Sequence, residues 1–314
     1  MLRNIHKLRP TFVYKIWGGV KLESKLKESQ SLSASNNPLG ETWEVSIHPD
    51  GPCFLEDGSM LSEHVDQKQL PYLIKFIDTS ENLSVQVHPN DDYAKRVEKG
   101  SGKTECWIIT EAQAGAGIYL GFKKGINPSD FKDAVLKSED LSAFLQFHEV
   151  SSGDFFYVPA GSVHAIGEGV TLLEVQQSSG ITYRVWDWNR VDKEGKGREL
   201  HIDKAMDVLN FDENANTLEF FKTKKELFKM SGCESIVEHR DFNVDLRNMN
   251  SGEKSFIKNS GKYLTSLVCL KGELTIKVEN EEKTLKAYES MIISDTIKDI
   301  EILASGSSSY VVVN

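Results

Sequence analysis

Three short segments carry side chains able to hold a metal ion. In SVQVHP, residues 84–89, an extended backbone turns Ser84, Gln86 and His88 to one side and Val85 and Val87 to the other, because successive side chains alternate across a strand. In GKTECW, Lys103 and Glu105 share a face on the same grounds. In GDFFYVPAGSVHAIGEG, Gly153, Pro159 and Gly161 mark a tight turn, and His164 then opens a returning strand. Taken singly, each residue has an ordinary use. Gln86 fits a polar strand face, His88 a surface turn before Pro89, and Lys103 a solvated turn. It is the combination of an amide, two imidazoles and a carboxylate that points to a bound cation.

The spacing from Gly153 through Pro159 and Gly161 to His164 resembles the second signature motif of the cupin superfamily, whose histidine binds a metal inside a small β-barrel. That superfamily's first motif has two histidines flanking one residue, then a glutamate. Here Gln86 stands in for the first histidine, His88 is the second, and Glu105 follows at a longer spacing than usual. With that departure the chain is similar to type I mannose-6-phosphate isomerases in their short bacterial form. SVQVHPND, GKTECW and YRVWDWNR carry the likeness, which runs over most of residues 10–200.

The resemblance implies one zinc ion per chain held by Gln86, His88, Glu105 and His164. It also implies interconversion of mannose 6-phosphate and fructose 6-phosphate by proton transfer between C1 and C2 through an enediol. It makes Glu174 and Arg184 active-site residues, Arg190 a phosphate contact, and Trp17 in KIWGG a neighbour of the pocket. Two neutral histidines, a neutral glutamine and one carboxylate would leave a zinc ion incompletely neutralised, hence a useful Lewis acid. Glu174 is the first candidate for the base, with Lys103 as proton carrier or electrostatic partner and Arg184 stabilising the intermediate's negative charge. Ser84, on the ligand face of its strand, either touches substrate or packs. Arg184 and Arg190 would point the same way from a strict strand, and guanidinium suits phosphate.

Other readings of the same residues stay open at this level. Glu174 and Arg184 could form a structural ion pair, Arg190 a surface charge network with Asp187 and Asp192, and Trp17 part of the core. A non-catalytic sugar-phosphate-binding metal cupin would keep the ligands without needing Lys103, Glu174 and Arg184 together. An iron(II) cupin oxygenase would favour two histidines and a carboxylate with open positions. His6, His48, His64, His148, His201 and His239 have no evident ligand partners in the sequence.

Holding these residues together requires a β framework. Short apolar or alternating runs recur, among them YLIKFID, ECWIIT, GIYLGF and TLLEVQQ, separated by Gly, Pro, Asn and Asp. Two stretches have helical spacing, about 128–147 and 202–211, the first opened by Pro128. The fold expected is mainly β, two cupin-like jelly-roll or β-sandwich domains with a small helical patch. Residues 1–220 form the catalytic domain, and residues 221–314, with no histidine after His239, form a second β domain without metal ligands.

Composition sets the outer limits. A formal charge of −10 over 314 residues opposes binding to nucleic acid or to an anionic membrane, and no apolar run is long enough to span a bilayer. The four cysteines form no CxxC pair, and the opening residues carry no secretory leader pattern. The expectation is a cytoplasmic enzyme acting on a small sugar phosphate, monomeric or weakly homo-oligomeric.

Overall fold

The computed structural model describes residues 2, 4–26, 35–191, 194–259 and 262–314. Four antiparallel sheets stack face to face. The first has its strands in the spatial order Thr11–Gly19, Leu39–Val45, Tyr72–Asp78, Val170–Gln177, Glu105–Ala112 and Phe155–Val158. Facing it is a five-stranded sheet of Tyr183–Trp186, Val85–Val87, His164–Ile166, Gly117–Phe122 and Leu145–Glu149. Together they make the N-terminal sandwich. The C-terminal sandwich pairs a six-stranded sheet, running from Ile5–Lys7 through Ser290–Ile293 to Gly232–Glu238, with a four-stranded sheet that includes Glu273–Val278.

Apolar clusters fill the spaces between layers. Ile77, Trp107, Ile109 and Leu172 of the first sheet meet Ile118, Leu120 and Ile166 of the second inside the N-terminal sandwich. The opposite face of the first sheet, with Tyr72, Ile74, Phe76, Leu173 and Val175, packs on Val244, Val268, Ile292 and Val311 of the C-terminal sandwich. This first sheet is therefore covered on both sides, which is why Tyr72–Asp78 and Val170–Gln177 are buried along their whole length. The Tyr72 hydroxyl spans the junction, 2.8 Å from the Leu264 carbonyl, 3.0 Å from that of Val313 and 2.9 Å from Ser266 Oγ.

The helical patch covers the outer face of the second sheet. Val85, Val87, Ala165, Tyr183 and Val185 pack there against Phe131, Ala134 and Val135 of the helix Pro128–Leu136 and Ala205 of the helix Ile202–Val208. Burying each such valine contributes roughly 1.5–3 kcal/mol. With those residues fixed outward, alternation forces Gln86 into the sandwich interior. Asn127 caps the longer helix by accepting from Ser129 N at 2.8 Å.

Both helical segments are shorter than the sequence spacing suggests. The stretch expected to run to 147 stops at Leu136; after a single 3₁₀ turn at Leu141–Ala143, Leu145–Glu149 is a strand. Ser138, in a left-handed conformation, breaks the helix, and Leu145–Glu149, with Phe147 exposed, lies at the edge of the second sheet. The stretch 202–211 is helical only to Val208, because Leu209 is already extended. The chain path is also less simple than a cut at 220/221. Ile5–Lys7 pairs with Ser290–Ile293, while Phe221 and Leu227 remain docked on the N-terminal sandwich, with Lys224 bonded to Phe155.

Candidate active site

His88, Glu105 and His164 converge, buried, with their ligand atoms all within 4.8 Å of one another. The local sequence explains the convergence. Gly161, at φ +90°, makes the turn before His164, and a Cβ there would sit 3.1 Å from the Val208 carbonyl. That turn is tied to the neighbouring ligand strand by Gly161 N donating to His88 O at 2.9 Å. Lys103 N donates to Pro89 O at 3.0 Å and Gly102 N to Asp91 at 3.0 Å, so the loop leading to Glu105 is strapped to the turn that follows His88.

Each imidazole spends one nitrogen on the main chain. His88 Nδ1 lies 2.9 Å from Ile181 O, and His164 Nδ1 lies 3.0 Å from Ser162 O. Because a carbonyl only accepts, both Nδ1 atoms carry the proton and both Nε2 atoms present a lone pair. Burial keeps the rings neutral, holding His88 well below the usual imidazole range and His164 down to about 4. Those lone pairs face the Glu105 carboxylate at 3.5 Å each. Acceptors thus confront acceptors. His88 Nε2 and both Glu105 oxygens, all buried, have no hydrogen-bond partner. A buried orphan of this kind costs about 1–3 kcal/mol and more when charged; with only the Lys103 ammonium, among the described residues, beside Glu105 Oε2, the cluster fits a cation placed within it. Gln86 joins with Nε2 3.3 Å from His164 Nε2; a half-turn of the amide would present its oxygen instead.

Above this cluster opens a cavity of about 290 Å³, lined by Trp17, Ser84, Gln86, Lys103, Glu174 and Arg184, all expected, and also by Lys15, Glu41, Lys75 and Arg198. Two rows of side chains in strand register supply Arg184 and Gln86 on one side and Lys75 and Glu174 on the other. Arg184, Gln86 and His164 are neighbours across three adjacent strands of one sheet. Opposite, Trp43, Lys75, Glu174 and Trp107 stand side by side across four strands. Trp107 Nε1 donates to Glu174 Oε2 at 3.1 Å, and Lys75 Nζ is 4.0 Å from Oε1. Burial, then the nearby Glu105, raises the Glu174 pKa. Lys103 Nζ lies 3.3 Å from Glu105 Oε2. Burial opposes the Lys103 charge, but Glu105 and Glu174 outweigh it and its pKa ends raised.

The cavity is cationic in an acidic protein. Lys15, Lys75, Lys103, Arg184 and Arg198 face Glu41 and Glu174. Arg190 is not among them. It turns away to Asp187 (2.5 Å) and Glu81 (3.1 Å) and lines a neighbouring cavity, with which this one shares Arg198. The expectation that Arg184 and Arg190 point alike fails because the strand bulges after Arg184 and then turns through left-handed Trp188 and Asn189. The charge network considered for Arg190 includes Asp187; Asp192 lies outside the described residues.

Lys75 carries a local signal, a charge flanked on both sides by apolar residues in YLIKFID. Lys15, Glu41 and Arg198 carry no comparable local signal.

Residues 5–105 match the family model described as phosphomannose isomerase type I, catalytic domain. The mannose-6-phosphate isomerase of Streptococcus mutans is 32% identical over 315 residues, covering 94% of this chain and 95% of that one. The chain belongs to the mannose-6-phosphate isomerase family. Its relatives include GmuF of Bacillus subtilis, a probable mannose-6-phosphate isomerase, 38% identical over 217 residues, 64% of this chain and 67% of the relative. The crystal structure of the Bacillus subtilis mannose 6-phosphate isomerase superposes with a TM-score of 0.84 at 28% identity, covering 99% of this chain and 100% of that one. As a member of this family the protein is an aldose–ketose isomerase, and two cupin-fold sandwiches are the architecture it shares with that neighbour.

Proposed function

We propose that this mannose-6-phosphate isomerase family member interconverts mannose 6-phosphate and fructose 6-phosphate with the help of one zinc ion per chain. The observation that carries the reading is the buried set of orphaned acceptors, His88 Nε2 and both Glu105 oxygens, beneath a cavity walled by Glu174 and cations. Gln86, His88, Glu105 and His164 would hold the ion, their nitrogen and oxygen donors being those zinc takes. Bound there, it would supply Lewis acidity toward the sugar oxygens.

The chain's own groups account for the proton movements. Glu174, held by Trp107 and with its pKa raised by burial, takes the C2 proton of the aldose and returns it at C1, leaving an enediol between the two transfers. Lys103, kept charged beside Glu105 and Glu174, gives a proton to O1 as negative charge develops there and takes the O2 proton back as C1 is protonated and the C2 carbonyl forms. Arg184 stabilises the same charge from the facing sheet. Trp17 and Ser84 shape the cavity around the sugar. Arg190 acts indirectly in this reading, through Asp187. Residues 1–220 carry the chemistry, and 221–314 support it through the shared core.

A non-catalytic binder is disfavoured because a buried carboxyl with a raised pKa on the cavity wall is costly to keep and adds nothing to binding a polyanion. We read the enzyme as cytoplasmic and monomeric or weakly self-associating. Four free cysteines, three of them buried, accord with a reducing compartment, and none of the described helices is long and apolar enough to cross a membrane. A coupled assay of mannose 6-phosphate and fructose 6-phosphate interconversion tests the reading. Activity should vanish on chelation and return with zinc; absence of turnover by zinc-loaded protein overturns it.

A further inference from the structure

We propose that Arg198 is the specificity residue for the phosphate group, forming an anion subsite beyond Arg184 at the end of the cavity remote from the metal cluster. The inference rests on the hexose-phosphate reading above. Arg198 arrives on irregular chain that runs beside the strand Tyr183–Trp186. His201 N donates to Arg184 O at 2.8 Å, and Arg184 N donates to His201 Nδ1 at 3.2 Å. In the row that begins at His164 and passes through Gln86 to Arg184, this segment is the next member outward. Neighbouring strands are about 4.8 Å apart, so Arg184 stands roughly 10 Å from His164, and Arg198 lies on the segment beyond it. An aldose with C1 and C2 near the metal cluster would extend its sixth carbon in that direction.

The guanidinium of Arg198 is held in place before any ligand arrives. Its Nε donates to Asp187 Oδ2 at 2.6 Å and its second terminal nitrogen to Oδ1. Asp187 is itself buried and fixed by Arg190 Nη2 at 2.5 Å. Glu81 anchors Arg190 at 3.1 Å. This side-on pairing leaves Nη1 of Arg198 without a hydrogen bond among the described residues. Arg184 is bonded to the carbonyl of Glu199, the residue after Arg198, at 2.8 Å, while its buried Nε has no partner. Both guanidinium groups line the cavity; the nearer, Arg184, is left to the sugar, and the farther, Arg198, with a donor to spare, suits the dianionic phosphate. The role of Asp187 and Arg190 is then to position Arg198.

Losing a hydrogen-bonded charge contact of this kind costs about 10- to 100-fold in affinity. With R198A the KM for mannose 6-phosphate should rise by that factor, with a much smaller fall in kcat. The ratio of kcat/KM for mannose 6-phosphate to that for unphosphorylated mannose should fall in proportion. R198K, which keeps the charge but not the paired donors, should lie between wild type and R198A, and it secures the test if R198A is poorly folded. Equal losses on both sugars, or an unchanged KM in either folded variant, overturn the proposal. Calorimetric titration of inorganic phosphate into zinc-loaded protein separates this from the function itself. Wild type inert toward mannose 6-phosphate but binding phosphate through Arg198 would sink the isomerase reading alone; phosphate binding unaffected by R198A would sink the subsite.

Discussion

The two sandwiches solve the same packing problem with opposite interiors. Between the sheets of the C-terminal one lie Ile257, Leu267, Leu274, Ile276, Leu285, Ile300 and Ile302, all apolar. The N-terminal interior gives comparable positions to Lys75, His88, Lys103, Glu105, His164 and Glu174, all buried. Among the described residues beyond Asp187, the buried polar side chains are Asn, Ser and Thr, all uncharged. One strand pattern thus serves two ends. Where every inward residue is aliphatic the sandwich closes on itself, and where charges point inward it opens a cavity whose stability is borrowed from its surroundings. The loan is visible in the doubly covered first sheet, which the C-terminal sandwich backs along its full apolar face.

The sharpest way to break the contrast is to remove a polar side chain from the N-terminal interior. His164→Ala should strip zinc, measured by mass spectrometry of the purified protein, and lower turnover on the order of 10⁴-fold, since Lewis-acid stabilisation is worth several kcal/mol at tenfold per 1.36 kcal/mol. Full zinc occupancy in that variant would mean the ligand is misassigned. Glu174→Gln should leave zinc content and KM near wild type while kcat falls about 10³-fold, within the usual range for a lost general base. If kcat is unaffected, the base is another residue.

A substitution in the other interior should do the reverse. Leu274→Ala, in a fully buried aliphatic position, should cost about 2–5 kcal/mol of unfolding free energy, while kcat per folded molecule stays unchanged. Urea denaturation with activity normalised to the folded fraction reads both. A kcat loss in the folded protein would show that the C-terminal sandwich shapes the site as well as backing it.

The same contrast explains what the amino-acid sequence made legible. The metal cluster rests on local patterns, period-two alternation at Gln86 and His88 and the Gly161 turn before His164, so its members could be named in advance. Glu105 came from the family resemblance, alternation placing it only on one face with Lys103. Arg198 could not be found this way. It reaches the cavity from chain without periodicity, held by an aspartate eleven residues back. Arg190 misled because alternation was extended through a bulge and two left-handed residues. The strand Ile5–Lys7 pairs with a partner nearly the whole chain away, and no short-range pattern announces such a contact. The helical reading runs on through residues 145–147 because Leu141, Phe144 and Leu145 happen to keep helical spacing across a 3₁₀ turn.

The smallest expected effect lies at the junction of the two sandwiches and tests whether buried charge is tolerated only at the site. Glu44 is 1% exposed on the face of the first sheet that meets the C-terminal sandwich; neither of its carboxylate oxygens has a hydrogen-bond partner. Burial pushes its pKa up from 4.5 to about 8, and Glu289, itself paired with Lys7 at 2.6 Å, adds to the rise. Between those values the folded protein keeps a proton that the unfolded chain gives up, so this group's contribution makes stability fall as pH rises from 4.5 to about 8. Above about 8 both states are ionised and the full cost of the buried charge is present. Glu44→Gln removes the titration. The variant should gain about 1–3 kcal/mol over wild type at pH 9, the usual cost of an unsatisfied buried group, and little or nothing at pH 5. His88 and His164, with lowered pKa values, act in the opposite sense, losing stability as pH falls. They are common to both proteins, so the difference between the two unfolding curves isolates Glu44. A difference that does not grow from pH 5 to pH 9 would mean the junction solvates or pairs this carboxylate, and the two regions would then handle buried charge alike.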